Sequence, residues 1–146
     1  AAVAVFRAHQ VTKEYRAIAR GRLQPPTQTI DRPIEGQPAI TRVRTVSANT
    51  QASYLAIQTL TGRTHQIRVH LAAVKHPILG DRQHGQQRGL GPDHMQIPRQ
   101  MLHALSLRLM SPASGKEISV SARLPDDFRK CLMTFGLREN PPAARP

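Results

Sequence analysis

Leu60-Thr61-Gly62-Arg63-Thr64-His65-Gln66-Ile67-Arg68-Val69-His70-Leu71 decides how this chain is read, with His76-Pro77-Ile78-Leu79-Gly80-Asp81 close behind it. A strand-like run, Tyr54 to Leu60, breaks at Thr61-Gly62. The chain then restarts as a helix from about His65 to Val74, which Pro77 prevents from continuing. Thr64 is the expected N-cap, since its hydroxyl can accept a free first-turn amide. Helical spacing puts Ile67, Leu71 and Val74 on one face and His65, Arg68 and Lys75 on the other. Two arginines and two histidines between Leu60 and Leu71 are too many polar groups for a simple packing element.

Working outward, Val11 to Ala19 alternates in part and reads as a strand carrying Lys13, Tyr15 and Arg16. Gln24 to Pro38 holds four prolines and a glycine, which predicts an irregular loop or an extended excursion. Thr41 to Val46 is a strand that a polar connection joins to Tyr54–Leu60. Gln83 to Pro98 reads as loop. Leu102 to Leu109 alternates and pairs with Glu117 to Ala122 across a Ser-Pro-Ala-Ser-Gly-Lys turn. Pro125-Asp126-Asp127 opens a last helix with Phe128, Leu132 and Phe135 inward. Ala1 to about Gln10 reads as the end of a helix, and residues 140–146 as a disordered tail. Hairpins interrupted by helices predict an α+β fold around a mixed, mainly antiparallel sheet.

Composition narrows the partner. Lys and Arg number 21 against 9 Asp and Glu, a net charge of +12, which draws polyanions. Nucleic acid comes first. An anionic membrane comes second, but neither a long basic amphipathic helix nor an apolar run of spanning length is present. The lone Cys131 cannot close an intrachain disulfide, which suits a reducing, intracellular compartment, cytoplasmic or mitochondrial. Two Tyr, three Phe and no Trp leave little stock for the stacking platforms of nonspecific single-strand binders. His65, His70 and His76 lack a ligand spacing and a second cysteine, so no metal site is expected. The sequence starts at Ala1 rather than Met, so upstream residues are expected.

The arginine block closely resembles the arginine-bearing motif of the RluA-type pseudouridine synthases, which isomerise uridine within RNA. The resemblance runs from about Lys13 to Leu132 and takes in Lys13-x-Tyr15-x-Ala17, His76 to Asp81, Leu102-His103-Ala104 and Leu124 to Phe128. It implies that Arg68 pairs with the family's nucleophilic aspartate, whose buried anion needs a fixed cation. It also implies that Tyr15 stacks on the flipped base and removes the carbon 5 proton. Arg63, beside the helix start, is expected to meet phosphate or sugar. Lys13, Lys75 and Arg82 are expected RNA contacts; His65 and Gln66 are expected either to hold RNA or to organise the turn. Plainer alternatives stand beside these: a solvated helix arginine, a surface charge, an exposed strand tyrosine. Protein carboxylate chemistry implies no cofactor.

Two departures are local: Lys75 stands where the family usually has glycine, and His84 where it usually has an aromatic. A third is larger. The aspartate motif, of the form His-Arg-Leu-Asp-x-x-Thr-Ser-Gly, is absent, and Asp31, Asp81, Asp93, Asp126 and Asp127 all lie outside it. Arg123-Leu124-Pro125-Asp126 is broken by its proline and suits a helix start. Residues 1–139 are therefore expected to be the C-terminal half of a catalytic domain, inactive alone, acting on ribosomal or transfer RNA, with a ribosome or ribosome-assembly particle as a further expected partner. A noncatalytic RNA-binding protein that keeps the scaffold is the alternative. Arg68 is expected to serve the site rather than the fold, so that Arg68→Met would leave the melting temperature nearly unchanged.

Overall fold

The computed structural model describes residues 11–84, 97–111 and 113–139. The expected N-terminal helix end, most of the loop after Gln83 and the tail lie outside them. Strands β1 (Val11–Arg20), β2 (Thr27–Asp31), β3 (Ile40–Ala48), β4 (Ala52–Thr59), β5 (Leu102–Met110) and β6 (Glu117–Ser121) form one sheet in the order β2-β3-β4-β1-β5-β6. Every named strand pair is antiparallel. Helices α1 (Gln66–Ala73) and α2 (Asp126–Thr134) complete the described regular structure. The α+β expectation holds.

β1 is the middle strand because it can be buried on both faces: Ala17, Ile18 and Ala19 are fully enclosed. Cross-strand neighbours share a face, which places the helices. Tyr15 lies opposite Ile57 and Val43 opposite Ile57, and Thr41, two residues from Val43, touches His70 of α1. So α1 covers the Tyr15 face. Ile18 lies opposite Tyr54 on the other face, where Phe128 of α2 meets the Tyr54 ring edge-on at 5.9 Å. Enclosing a phenylalanine such as Phe128 contributes roughly 1.5–3 kcal/mol. Cys131, in the same helix, is buried; desolvation, with Asp127 adding to it, pushes its thiol up to about 11, so it stays protonated and unreactive at neutral pH.

One local expectation is sharpened and one is corrected. The proline-rich excursion contains β2, whose five residues fit between Pro25-Pro26 and Pro33 on an outer edge of the sheet. Proline is tolerated beside an edge strand because no ladder amide is required of it there. Thr64 is not the cap of α1. His65 takes that position with left-handed φ 53 and no side-chain cap bond.

Candidate active site

The turn into α1 is organised from inside. Gln66, 4% exposed, accepts on Oε1 from the Thr61 hydroxyl (2.6 Å) and the Arg63 amide (3.1 Å). Its Nε2 donates to the Ile40 carbonyl and to Thr41 Oγ1, both at 2.9 Å. The amide is fully used, so Gln66 organises the turn, one of the two roles expected of it. His70 continues the network. Its Nε2 lies 2.9 Å from the Arg32 carbonyl, which can only accept, so Nε2 carries a proton. With the ring neutral, Nδ1 then accepts from Thr41 Oγ1 at 2.7 Å. His70, one of the four arginines and histidines of the motif, thus joins Gln66 in a satisfied buried network, which polar groups enclosed between a helix and a sheet require. The amphipathic reading placed neither Gln66 nor His70, because partners of theirs on β3 and at Arg32 lie far along the chain.

Arg68 is tied into the fold as well. Its Nε and Nη2 each donate to Asp81 at 2.9 Å, a bidentate pair, and Nη2 also reaches Gln83 Oε1 at 3.3 Å. Only 11% of the Arg68 side chain and none of Asp81 is exposed. Burial alone would raise the Asp81 pKa. The bonds from Arg68 and from the His84 amide (3.0 Å), with the charge of Arg68, outweigh it and hold the carboxyl below its usual range. Arg68 is raised in turn, chiefly by its bond to Asp81. The arginine therefore serves the fold as well as any site. Neither bond to Asp81 uses Nη1.

Asp81 is held by a clamp. The Leu79 amide donates to the Ile18 carbonyl (2.8 Å), Ile18 donates to Met101 (3.0 Å) and Met101 donates to Leu79 (2.9 Å). This ties the Ile78–Asp81 turn to β1, three residues along from Tyr15. Tyr15, half-buried, lines an open hollow of about 260 Å³ with Lys13, Ala104, Leu107, Val120 and Ala122. Lys13 and Tyr15 are thus brought together, on the same sheet face as α1. Tyr15 and Arg68 share that face but are not in described contact.

The remaining expected contacts sit outside this hollow. Arg63 is anchored by Nε to the Pro38 carbonyl at 2.7 Å. His65 is exposed and meets His84 edge-on, ring nitrogens 3.4 Å apart. Arg82 is exposed. Arg99, which sequence reasoning passed over, pairs bidentately with Asp127 at 2.7 and 2.8 Å and fastens the chain before β5 to the start of α2.

Lys75 closes α1. Its amide bonds to Ala72 and that of His76 to Leu71, the paired bonds of a helix end that turns left-handed, and Lys75 has φ 69. The glycine common at this position in the resembled family is explained by that backbone angle. Lys75→Gly is expected to stabilise the protein by about 1 kcal/mol by removing the Cβ strain. Thermal melts should show a rise of roughly 2–4 °C, and Lys75→Gln, which removes only the charge, should show none. Equal melts for the two variants would contradict the strain.

Comparisons with known proteins agree with this architecture. The family pattern described as RNA pseudouridylate synthase matches residues 1–73. The chain is 35% identical over 145 residues to ribosomal large subunit pseudouridine synthase D of Haemophilus influenzae, covering 84% of this chain and 44% of that protein. It is 31% identical to tRNA pseudouridine synthase C of Salmonella typhimurium, covering 91% of this chain and 62% of the relative. The solved structure of human RNA pseudouridylate synthase domain containing 4 superposes with a TM-score of 0.78 at 25% identity, covering 94% of this chain and 67% of that one. The chain spans about half the length of the curated relatives it matches. By this match and this fold, the chain belongs to the RNA pseudouridylate synthase family.

Proposed function

We propose that this chain is the tyrosine- and arginine-bearing part of an enzyme that isomerises uridine to pseudouridine in ribosomal or transfer RNA. The observation that carries the reading is the placement of Tyr15. Its ring lines an open, largely apolar hollow beside Lys13, on the face that α1 and Arg68 share. A flipped base needs an aromatic surface to replace its lost stacking, and a cation beside it for the adjoining phosphate. Arg68, oriented by Asp81 through Nε and Nη2, keeps Nη1 for a second carboxylate, the attacking aspartate.

Among the described aspartates, Asp81 is enclosed and paired with Arg68, and Asp127 is paired with Arg99. Asp31 and Asp126 are exposed at the end of β2 and the start of α2 and lie outside the family's aspartate motif, so the nucleophile is proposed to come from elsewhere in the complete protein. The 146 residues alone are therefore proposed to bind RNA without isomerising it. Partners beyond RNA, including a ribosomal particle, are part of the same proposal.

In the complete enzyme, Tyr15→Phe should keep RNA affinity within about twofold and stall turnover. The assay is tritium release from carbon-5-labelled uridine in RNA. General acid–base roles contribute about 10²–10⁴-fold, so a loss of that order is expected. Full turnover by the Phe variant would leave Tyr15 only its stacking role. Tritium release by the isolated chain would overturn the assignment of the nucleophile.

A further inference from the structure

On the sheet face opposite Tyr15, four guanidinium groups converge from three separate parts of the chain. Arg16 comes from β1, Arg44 from β3, Arg123 from the approach to α2, and Arg129 from α2 itself. Together with Tyr54 and Glu139 they line a hollow of about 420 Å³. The sheet register builds its floor. Arg16 and Arg44 both lie opposite Ala56, so a small side chain separates two long cationic ones.

The charges around this hollow do not balance. Glu139 is already paired with Arg129, at 3.2 Å. Glu14 comes only to within 3.9 Å of Arg16, whose own Nη1 is turned to the Tyr15 carbonyl. Arg44 and Arg123 are exposed and enter none of the described ion pairs. Like charges held around one concavity repel, and a bound anion removes that cost. Guanidinium groups suit phosphate because their planar donors bond it in pairs. The cationic line also continues past the hollow. Arg42 stands two residues from Arg44 on β3, roughly 6.7 Å along an extended strand, and borders a neighbouring hollow with Thr27 and Thr29. Spaced cations along a strand fit successive charges of a polymer better than one small anion.

We infer that this arginine-lined hollow is a second RNA site, which holds the phosphodiester backbone of a strand on the face away from the uridine pocket. It rests on the RNA reading above only for the identity of the polyanion. It makes the protein a two-faced RNA binder, with base handling on one side of the sheet and backbone capture on the other.

The test uses the full-length protein and a fluorescein-labelled single-stranded oligouridylate, with affinity measured by anisotropy across a salt series. Arg44→Gln/Arg123→Gln should weaken binding at low salt and make the log–log salt slope shallower by about 1.4, two contacts at roughly 0.7 each. Arg22→Gln/Lys116→Gln removes the same charge away from the hollow and should change the slope by less than half as much. Both pairs are exposed, so thermal melts should match the parent and exclude misfolding. If the two pairs shift the slope equally, or neither shifts it, the hollow is not an RNA site. Tritium release separates this from the function. A protein that isomerises uridine while the two pairs behave alike loses the site and keeps the activity. A protein that shows the slope difference without isomerisation keeps the site and loses the activity.

Discussion

Arg68→Met should cost this protein about 3–5 kcal/mol of stability, because it strips the partner from a fully enclosed carboxylate. That is a large share of what holds a domain of this size together. The expectation from sequence, a nearly unchanged melting temperature, placed Arg68 on the helix face turned away from the core and so is reversed by the structure. Asp81 folds back onto that face. Arg68→Met/Asp81→Asn should recover most of the loss, since asparagine removes the buried charge and can still accept from the His84 amide. A coupling energy near zero in the double-mutant cycle would show that the pair contributes nothing.

The pH dependence has a definite sign. In the parent, Asp81 titrates below the unfolded value of about 3.9, so the pair stabilises above that pH and is lost as pH falls through the depressed value. In Arg68→Met, burial is opposed only by the amide and charge of His84, so the carboxyl is expected to rise and that variant to gain stability as pH falls. The gap between the two chemical-denaturation midpoints should therefore narrow from pH 7 towards pH 4. The double variant also divides the roles of Arg68. In the complete enzyme, a stable Arg68→Met/Asp81→Asn protein without tritium release assigns the arginine to the chemistry as well. Restored release would make it purely structural.

Gly80→Ala should be of similar size. Gly80 has φ 81, and a Cβ built there would enter the Arg99 carbonyl group and stand 2.8 Å from Ile97 Cγ2. The left-handed backbone costs about 1–2 kcal/mol for alanine and the overlap about 1–3 more. A fall in Tm of roughly 5–15 °C follows. The consequence reaches further than the turn, because Gly80 joins Leu79, clamped to β1, to Asp81, which orients Arg68. Gly62→Ala is the matched control. Nothing lies within 4 Å of a Cβ there, and its φ is not in the left-handed region. Equal melts for Gly80→Ala and Gly62→Ala would show that the Ile78–Asp81 turn is not rigid.

The clamp, the buried network and the arginine pair mark where reading the chain in one dimension stops. Alternation in Val11–Ala19 and Leu102–Leu109, β-branched residues in Thr41–Val46, and a helix stopped before Pro77 were legible because each depends on neighbours a few residues away. So was the family, because the arginine block is a contiguous string. The short β2 strand was hidden among prolines, since an edge strand is recognised by its partner β3 and not by its own composition. Lys75 was visible as a departure, but its meaning lay in a backbone angle.

By itself, then, the sequence determined the α+β class, the basic charge that selects a polyanion, and the family resemblance. Only the tertiary structure decided what the polar residues of the motif do. Whether Gln66, His70 and Arg68 face solvent or protein depends on Thr41, Arg32 and Asp81, which lie 13 to 38 residues away. A polar side chain carries the same donors and acceptors in either setting, and its role is set by the partner that folding brings within about 3 Å.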